Sequence, residues 1–319
     1  MKNLIILLFL TIISCKNNDV NYESIVKNDE FRKEILSKKG GAFIELSKGF
    51  TYFHEENSSS NLGTIMLIHG FSVPSYIWEP TLKRLSSLGY RVVAMDLYGR
   101  GFSSNPDLPQ TDNLRANQVL ELMSKLNIDS AIVCGLSNGG RIISKMAHIN
   151  SKKIQGLIYV SSSSFETHIE FENKKVSQQE INEYIATYPE KAKGQLEDFY
   201  KPEKFPDWPK LYEELLTHKG FAKALISTNK NLVTLDNIHK EINDLNIPVY
   251  TIWGLHDKVV VYDSFKDKLK LLLPNRKEFF IEDSAHLPQM ENSNQFEIRL
   301  IQAIEEILKP SAYLLPPTH

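Results

Sequence analysis

The chain has 319 residues, of which 42% are hydrophobic and 24% are charged, as expected for a globular protein with a large core. Lys and Arg number 37 against 39 Asp and Glu, and neither sign forms a long block, so the charges do not indicate a nucleic-acid partner. We expect a small-molecule substrate, and no sequence feature requires a cofactor or a metal ion.

The N-terminus has the features of a secretory signal peptide. Lys2 precedes an uncharged apolar run at residues 4–13, which is too short for a bilayer span of about 20 residues. Residues 12–15, reading IISC, resemble the lipobox of bacterial lipoproteins, in which the cysteine becomes the lipid-modified first residue after cleavage. We therefore expect an exported protein of the bacterial cell envelope, anchored to a membrane through lipidated Cys15. The alternative is a plain signal peptide in which Cys15 plays no part.

Strand-like and helix-like segments alternate from about residue 41 onward. Short, continuous, β-branched runs such as residues 64–68 (TIMLI) are typical of strands buried on both faces. Apolar residues at helical spacing between positions 78 and 88 predict a crossover helix that stops at Gly89. This alternation predicts an α/β fold with a doubly wound, mainly parallel sheet. The predicted strands are 42–46, 51–54, 64–68, 91–95, 131–134, 156–160, 248–253 and 278–281.

A polar, aromatic stretch of helical period interrupts this alternation at residues 165–243. A capping box at Ser177 and Glu180 starts one helix, and Pro209 follows the start of another. We interpret the stretch as an inserted helical cap over the carboxyl ends of the strands, where ligands of parallel sheets bind. Its aromatic residues could meet an acyl or aryl group, although we expect most of them to pack the core of the cap. They are Phe165, Phe171, Tyr184, Tyr188, Phe199, Tyr200, Phe205, Trp208, Tyr212 and Phe221.

These features divide the chain into six segments. They are a lipoprotein signal peptide at 1–15, a tether at 16–40, a first part of the core at 41–164, the helical cap at 165–243, a second part of the core at 244–309 and a C-terminal tail at 310–319.

Residues 135–139, reading GLSNG, form a nucleophile-elbow motif in the expected context. They follow the strand at 131–134 and precede a helix-like stretch at 140–147. A sharp turn there would expose Ser137 at the start of the helix, and Gly135 and Gly139 would let the strand and the helix approach closely. The alternative is that Ser137 only caps the helix. Cys134, on the strand, is expected to be a small core residue.

A serine nucleophile needs a base and a carboxylate that orients this base. His286 follows the strand at 278–281, and Asp257 follows the strand at 248–253. The order Ser137, Asp257, His286 is the order typical of this architecture. Glu166, after the strand at 156–160, is the alternative acid.

Ester hydrolysis also needs hydrogen-bond donors for the developing oxyanion. The amide of Asn138 is the first after the nucleophile, and the amide of Phe71 lies in the loop after the strand at 64–68. Gly70 would let this loop fold close to the serine, and we expect a structural role for His69.

Together, these motifs resemble the α/β-hydrolase superfamily, in particular its capped, esterase-like branch. The likeness covers about residues 41–309 and includes HGF at 69–71, DLYGRGFS at 96–103 for the DxxGxGxS of that branch, and the elbow. The resemblance implies a structural turn at Asp96. It also disfavours members with an aspartate nucleophile, because Ser137 holds that position.

The resemblance and the three candidate residues predict a serine hydrolase of the carboxylesterase or lipase type. We expect it to cleave a small or medium carboxylic ester, or a related carbonyl compound, through an acyl-enzyme. One alternative is a carbon–carbon bond hydrolase of the same fold, and a second is a non-catalytic binding scaffold.

Overall fold

The computed structural model describes residues 20–309. The predicted signal peptide, the lipidation site Cys15, the first part of the tether and the C-terminal tail lie outside the described residues.

One mainly parallel sheet organises the described chain. Its strand order is β1-β2-β4-β3-β5-β6-β7-β8, and only the β1–β2 and β2–β4 pairs are antiparallel. The prediction of a doubly wound, mainly parallel α/β sheet is therefore confirmed. The strands are β1 Ala42–Leu46, β2 Gly49–Glu56, β3 Thr64–Ile68, β4 Arg91–Met95, β5 Ala131–Leu136, β6 Ile154–Val160, β7 Val249–Gly254 and β8 Lys277–Ile281.

Helices cover both faces of the sheet, which explains why central strands such as β3 and β5 are continuously apolar. Successive side chains of a strand point to opposite faces, so Ile65 and Leu67 of β3 join one hydrophobic cluster. Met66 and Ile68 join the other. The helices are α1 Asp29–Lys39, α2 Glu79–Ser87, α3 Asp112–Lys125, α4 Asn138–Ile149, α5 Gln178–Ala186, α6 Tyr188–Gly194, α7 Trp208–Leu216, α8 Phe221–Lys230, α9 Asp236–Asp244, α10 Lys266–Leu272, α11 Pro288–Glu291 and α12 Ser293–Leu308.

The carboxyl ends of the parallel strands meet at one edge of the sheet. Ile68 of β3 pairs with Gly135 of β5, and Leu136 pairs with Val160 of β6. At the other side of β7, Gly254 pairs with Ile281 of β8. The register therefore brings the loops that follow these strands together, although they are far apart in the chain.

Five α-helices, α5 to α9, and short 3-10 helices lie between β6 and β7, and we call this segment the helical insertion. Ser177 and Glu180 form the predicted capping box, in which each side chain bonds the backbone of the other. Pro209 lies in the first turn of α7, where its missing N–H costs no hydrogen bond. Trp208, Tyr212 and other buried residues of the insertion belong to the hydrophobic cluster on one face of the sheet.

Residues 20–40 of the predicted tether pack against the helical insertion or form a helix. The Glu23 carboxylate accepts hydrogen bonds from the backbone of Gly220 and Ala222 and from the Tyr188 hydroxyl. The amide of Ile25 donates to Thr217 O at 2.9 Å. Helix α1 follows and is capped by Asn28, whose side chain accepts from Phe31 N. This part of the segment is therefore folded, because its polar groups find partners that a free tether lacks. Within residues 20–309, no helix has both the length and the apolar character needed to cross a bilayer.

Candidate active site

Ser137 lies at a sharp turn between β5 and α4. Its backbone has φ 51° and ψ −119°, a conformation that costs a non-glycine residue about 1–3 kcal/mol. A Cβ on Gly135 would lie 2.6 Å from the carbonyl carbon of Gly139, and a Cβ on Gly139 would lie 2.5 Å from Ile68 O. Both contacts involve backbone atoms that cannot move aside. The turn therefore requires glycine on both sides of the serine, as the motif predicted.

Asp257 and His286 lie in the loops after β7 and β8 and are hydrogen-bonded to each other. His286 Nδ1 and Asp257 Oδ2 are 2.9 Å apart, and both side chains are almost fully buried. The other carboxylate oxygen of Asp257 accepts from the amides of Val259 and Val260 at 2.8 and 2.9 Å. Because this oxygen is held by backbone donors, the carboxylate is fixed toward the imidazole. Within residues 20–309, no hydrogen bond joins the alternative acid Glu166 to His286.

Charges around His286 favour its protonated form. Burial lowers the pKa of His286, but the charge and hydrogen bond of Asp257, with smaller contributions from Asp198 and Glu166, outweigh burial, so its pKa is raised above the ordinary value. An imidazole in such surroundings takes up a proton more readily. This is the property required of a group that removes a proton from a hydroxyl.

Ser137 and His286 line one cavity of about 200 Å³. No hydrogen bond joins Ser137 Oγ to His286 within the described part of the chain. Catalytic hydrogen bonds often shorten only when substrate binds, and both side chains belong to residues that line the same cavity. The other lining residues are Gly70, Phe71, Ser72, Val73, Ile77, Leu136, Gln195, Asp198, Val259 and Leu287.

The loop after β3 lies directly against the serine. A Cβ on Gly70 would lie 3.2 Å from Ser137 Cβ, so a larger residue would crowd the nucleophile. The amides of Phe71 and Asn138 make no hydrogen bond within residues 20–309, which leaves both candidate oxyanion donors unused. Phe71 O accepts a hydrogen bond of 2.6 Å from Arg100 Nε, and this bond fixes the loop.

Buried polar residues next to this loop are structural. Leu97 N donates to His69 Nε2 at 2.9 Å, so Nδ1 carries the proton and donates to Gly70 O. Burial, followed by the charge of Arg100, lowers the pKa of His69 to about 3, so the ring is neutral. Asp96 accepts hydrogen bonds from Ser75 N and Phe102 N at 2.8 and 2.7 Å. It thereby holds two loops together, which agrees with the turn that the sequence implied.

The cavity lining differs from the set of aromatic residues that the cap suggested. None of those ten residues lines the cavity; Phe71 is its aromatic residue. Phe165, Tyr188 and Trp208 are instead buried in hydrophobic clusters. Cys134 is likewise buried in a cluster, as expected.

Sequence reasoning missed three residues near the candidate site. Gln195 and Asp198 line the cavity from the helical insertion, and Arg100 bridges Phe71 O and Thr228 Oγ1. Arg100 could have been noticed as a charged residue inside the glycine-rich 96–103 segment. Gln195 and Asp198 lie in a short polar run without a motif, so no local signal identified them. Within residues 20–309, no three His, Cys, Asp or Glu side chains converge as metal ligands.

Comparison with known proteins places the chain in a family. The family model of the α/β-hydrolase fold matches residues 63–238. The chain therefore belongs to the α/β-hydrolase family, and it is a hydrolase of that family.

Individual relatives are distant but nearly full-length. The chain is 22% identical over 269 residues to a pimeloyl-[acyl-carrier protein] methyl ester esterase of Aliivibrio salmonicida, which covers 81% of this chain and 96% of the relative. An esterase from Exiguobacterium antarcticum has a similar structure, with a TM-score of 0.69, 19% identity and coverage of 83% and 99%. The 2-hydroxy-6-oxo-6-phenylhexa-2,4-dienoate hydrolase of a Rhodococcus species has a TM-score of 0.67, 18% identity and coverage of 83% and 99%. At these identities, the structural likeness shows the fold alone.

Proposed function

We propose that this protein is a serine hydrolase that cleaves a small or medium carboxylic ester through an acyl-enzyme. The observation that carries the proposal is the arrangement of three side chains. Ser137, in a strained turn, shares a cavity with His286, whose other ring nitrogen is bonded to the fixed carboxylate of Asp257. The esterase named among the relatives supports the same reaction class. A cavity of about 200 Å³ favours the small end of the substrate range.

In the proposed reaction, Ser137 Oγ attacks the ester carbonyl carbon while His286 Nε2 takes the hydroxyl proton. The amides of Phe71 and Asn138 stabilise the oxyanion of the tetrahedral intermediate. His286 then returns the proton to the leaving alkoxide, which departs as an alcohol and leaves an acyl-serine. A water molecule, deprotonated by His286, attacks the acyl group and releases the carboxylic acid and the free serine. Asp257 holds the imidazole orientation and stabilises its charged form throughout.

Labelling with a fluorophosphonate tests the nucleophile directly. The wild-type protein should form a covalent adduct on Ser137, located by mass spectrometry of the digested protein, because an activated serine attacks the phosphorus. Ser137→Ala should not react, whereas Ser124→Ala, a change at an exposed serine of α3, should react like the wild type. Labelling of the Ser137→Ala protein at the wild-type rate would contradict the proposal, and an inert but folded wild-type protein would favour a binding scaffold.

The alternative, hydrolysis of a carbon–carbon bond, would use the same three residues. The structural likeness to a dienoate hydrolase is the observation that supports this alternative. A dienoate carries a carboxylate, however, and the cavity lining of this chain contains no Lys or Arg that could pair with it. Turnover of a vinylogous diketone acid, with no turnover of p-nitrophenyl acetate, would favour the alternative.

We also propose that Cys15 carries a lipid anchor, as the IISC motif predicts. The lipoprotein should partition into the detergent-extracted membrane fraction, because several acyl chains bind a bilayer stably. Cys15→Ser should move it to the soluble fraction. An unchanged distribution would contradict lipidation without affecting the proposed activity.

A further inference from the structure

Asp198 lines the same cavity as Ser137 and His286. It ends a short 3-10 helix, Gln195–Asp198, in the helical insertion, and its backbone oxygen accepts the His286 amide at 3.0 Å. This backbone contact fixes the position of Asp198 relative to the imidazole. Its carboxylate is also near enough to His286 for each charge to influence the pKa of the other group.

The Asp198 carboxylate has no compensating partner in the described chain. It makes no side-chain hydrogen bond and no salt bridge within residues 20–309, whereas Asp257 uses both of its oxygens. The cavity lining contains no Lys or Arg, and the only other titratable lining residue is His286. Asp257 already engages that imidazole on its Nδ1 side. Ionised Asp198 is therefore the one anionic group of the described cavity lining, and no lysine or arginine of that lining pairs with it.

The Asp198 carboxylate is partly withdrawn from solvent, and a bound cation would favour its ionised form. Burial raises the pKa of Asp198; the charge of His286 lowers it, and Asp257 and Glu197 raise it. A cationic group in the cavity would favour the ionised carboxylate and would be attracted by it in return. An anionic group would meet repulsion from the same charge, and no basic side chain lines the cavity to balance it; Arg100, which donates to Phe71 O, lies outside the lining.

We propose that Asp198 is a specificity-determining residue that makes the site prefer esters bearing an ammonium group and disfavour esters bearing a carboxylate. This inference rests on the proposed function and narrows its substrate class. A preference for cationic substrates would explain why Asp198 lines a cavity that also contains apolar residues such as Val73 and Leu287.

The test compares a charged ester with an uncharged ester of the same shape. The first pair is acetylcholine and dimethylbutyl acetate, in which a carbon replaces the nitrogen of the ammonium group. The second pair is mono-p-nitrophenyl succinate and p-nitrophenyl 4-methylpentanoate, in which an isopropyl group replaces the carboxylate on the acyl side. The ratio of kcat/KM within each pair is measured for the wild type, Asp198→Asn and Glu197→Gln. Glu197 is the matched control, because it is an exposed carboxylate of the same short helix and does not line the cavity.

The expected result is a change in selectivity and not a general loss of activity. Asp198→Asn should lower the preference for acetylcholine, or raise the relative rate with the succinate ester, by about tenfold, equal to about 1.4 kcal/mol. Glu197→Gln should keep the wild-type ratios. Intrinsic reactivity and the fraction of folded enzyme cancel in each comparison. Unchanged ratios for Asp198→Asn in both pairs would overturn the inference.

A binding measurement separates this inference from the proposed reaction. Choline should bind the wild-type protein, by calorimetry, at least about tenfold more tightly than it binds Asp198→Asn, whether or not any ester is turned over. Equal affinities would overturn the inference even if the enzyme proved to be an esterase.

The pH profile distinguishes a charge effect from a structural one. The carboxylates whose charges raise the pKa of His286 are those of Asp257, Asp198 and Glu166. Removing the Asp198 charge should shift the acid limb of kcat/KM for the neutral ester to lower pH. A change that only loosened the loop would not move the limb, so an unmoved limb together with unchanged ratios would assign Asp198 a structural role.

Discussion

The sheet edge and the helical insertion both face the cavity, but they tolerate change very differently. At the edge, a methyl group added to Gly135 or Gly139 would meet backbone atoms at 2.5 to 2.6 Å. In the insertion, a methyl group added to Gly194, next to the cavity-lining segment Gln195–Asp198, would meet no atom within 4 Å. The crowded edge holds the groups to which we assign the chemistry. The room for change lies next to the segment Gln195–Asp198 and does not extend to the whole insertion, because a Cβ on Gly220 would lie 2.8 Å from Asn105 Nδ2.

Among changes at the sheet edge, Ser137→Ala should have the largest effect on activity. If the three residues act as a unit, kcat should fall by about 10⁶, because no other group can form the acyl intermediate. Steady-state kinetics with p-nitrophenyl acetate measures the loss, with Ser124→Ala as the control. Activity near the wild-type level would show that the edge is not the site of chemistry.

Asp257→Asn should cost about 10⁴ in kcat, because the amide neither stabilises the imidazolium nor favours the correct tautomer. It should also move the acid limb of the pH profile to lower pH. In the wild type, Asp257 raises the pKa of His286, so activity should be lost by protonation at a pH above the usual histidine value of about 6.5. The control is Glu166→Gln, which removes the charge of the alternative acid. If kcat fell more in Glu166→Gln than in Asp257→Asn, Glu166 would be the carboxylate that assists His286.

Gly139→Ala should lower the free energy of unfolding by about 1–3 kcal/mol, since the new methyl group would push against Ile68 O and His69 O. It should also reduce activity, because the same backbone carries Ser137 and the neighbouring loop. Urea denaturation and ester kinetics measure the two effects. A Gly139→Ala protein with wild-type stability and activity would show that the sheet edge can accommodate the added methyl group.

Gly194→Ala should have the smallest effect and the opposite sign. Its backbone is helical, with φ −63° and ψ −17°, so alanine fits without strain and restricts the unfolded chain. We expect a gain of about 0.4–1 kcal/mol in the free energy of unfolding and little change in activity. A loss as large as that of Gly139→Ala, measured in the same urea series, would remove the contrast between the two regions.

Much of the fold could be predicted from the sequence because its signals are local. The apolar run of β3 is continuous because helices cover both faces, and the capping box at Ser177 is formed within one helical turn. The structure of the segment near the N-terminus was harder to predict from the sequence. Glu23 belongs to a stretch interpreted as a tether, yet its partners, such as Tyr188 and Ala222, lie in the helical insertion. Contacts over such separations leave no pattern in the sequence.

The sequence by itself determined which strand ends carry Ser137, Asp257 and His286, because turn glycines and strand patterns are short-range features. It also determined the family, through motifs that occur in a fixed order. Only the tertiary structure decided that Asp257 contacts His286 while Glu166 does not, and that Asp198 enters the cavity instead of the aromatic residues of the insertion. The physical reason is that side-chain proximity depends on strand register and on how the insertion packs. Both arise from interactions between residues that are distant in the chain.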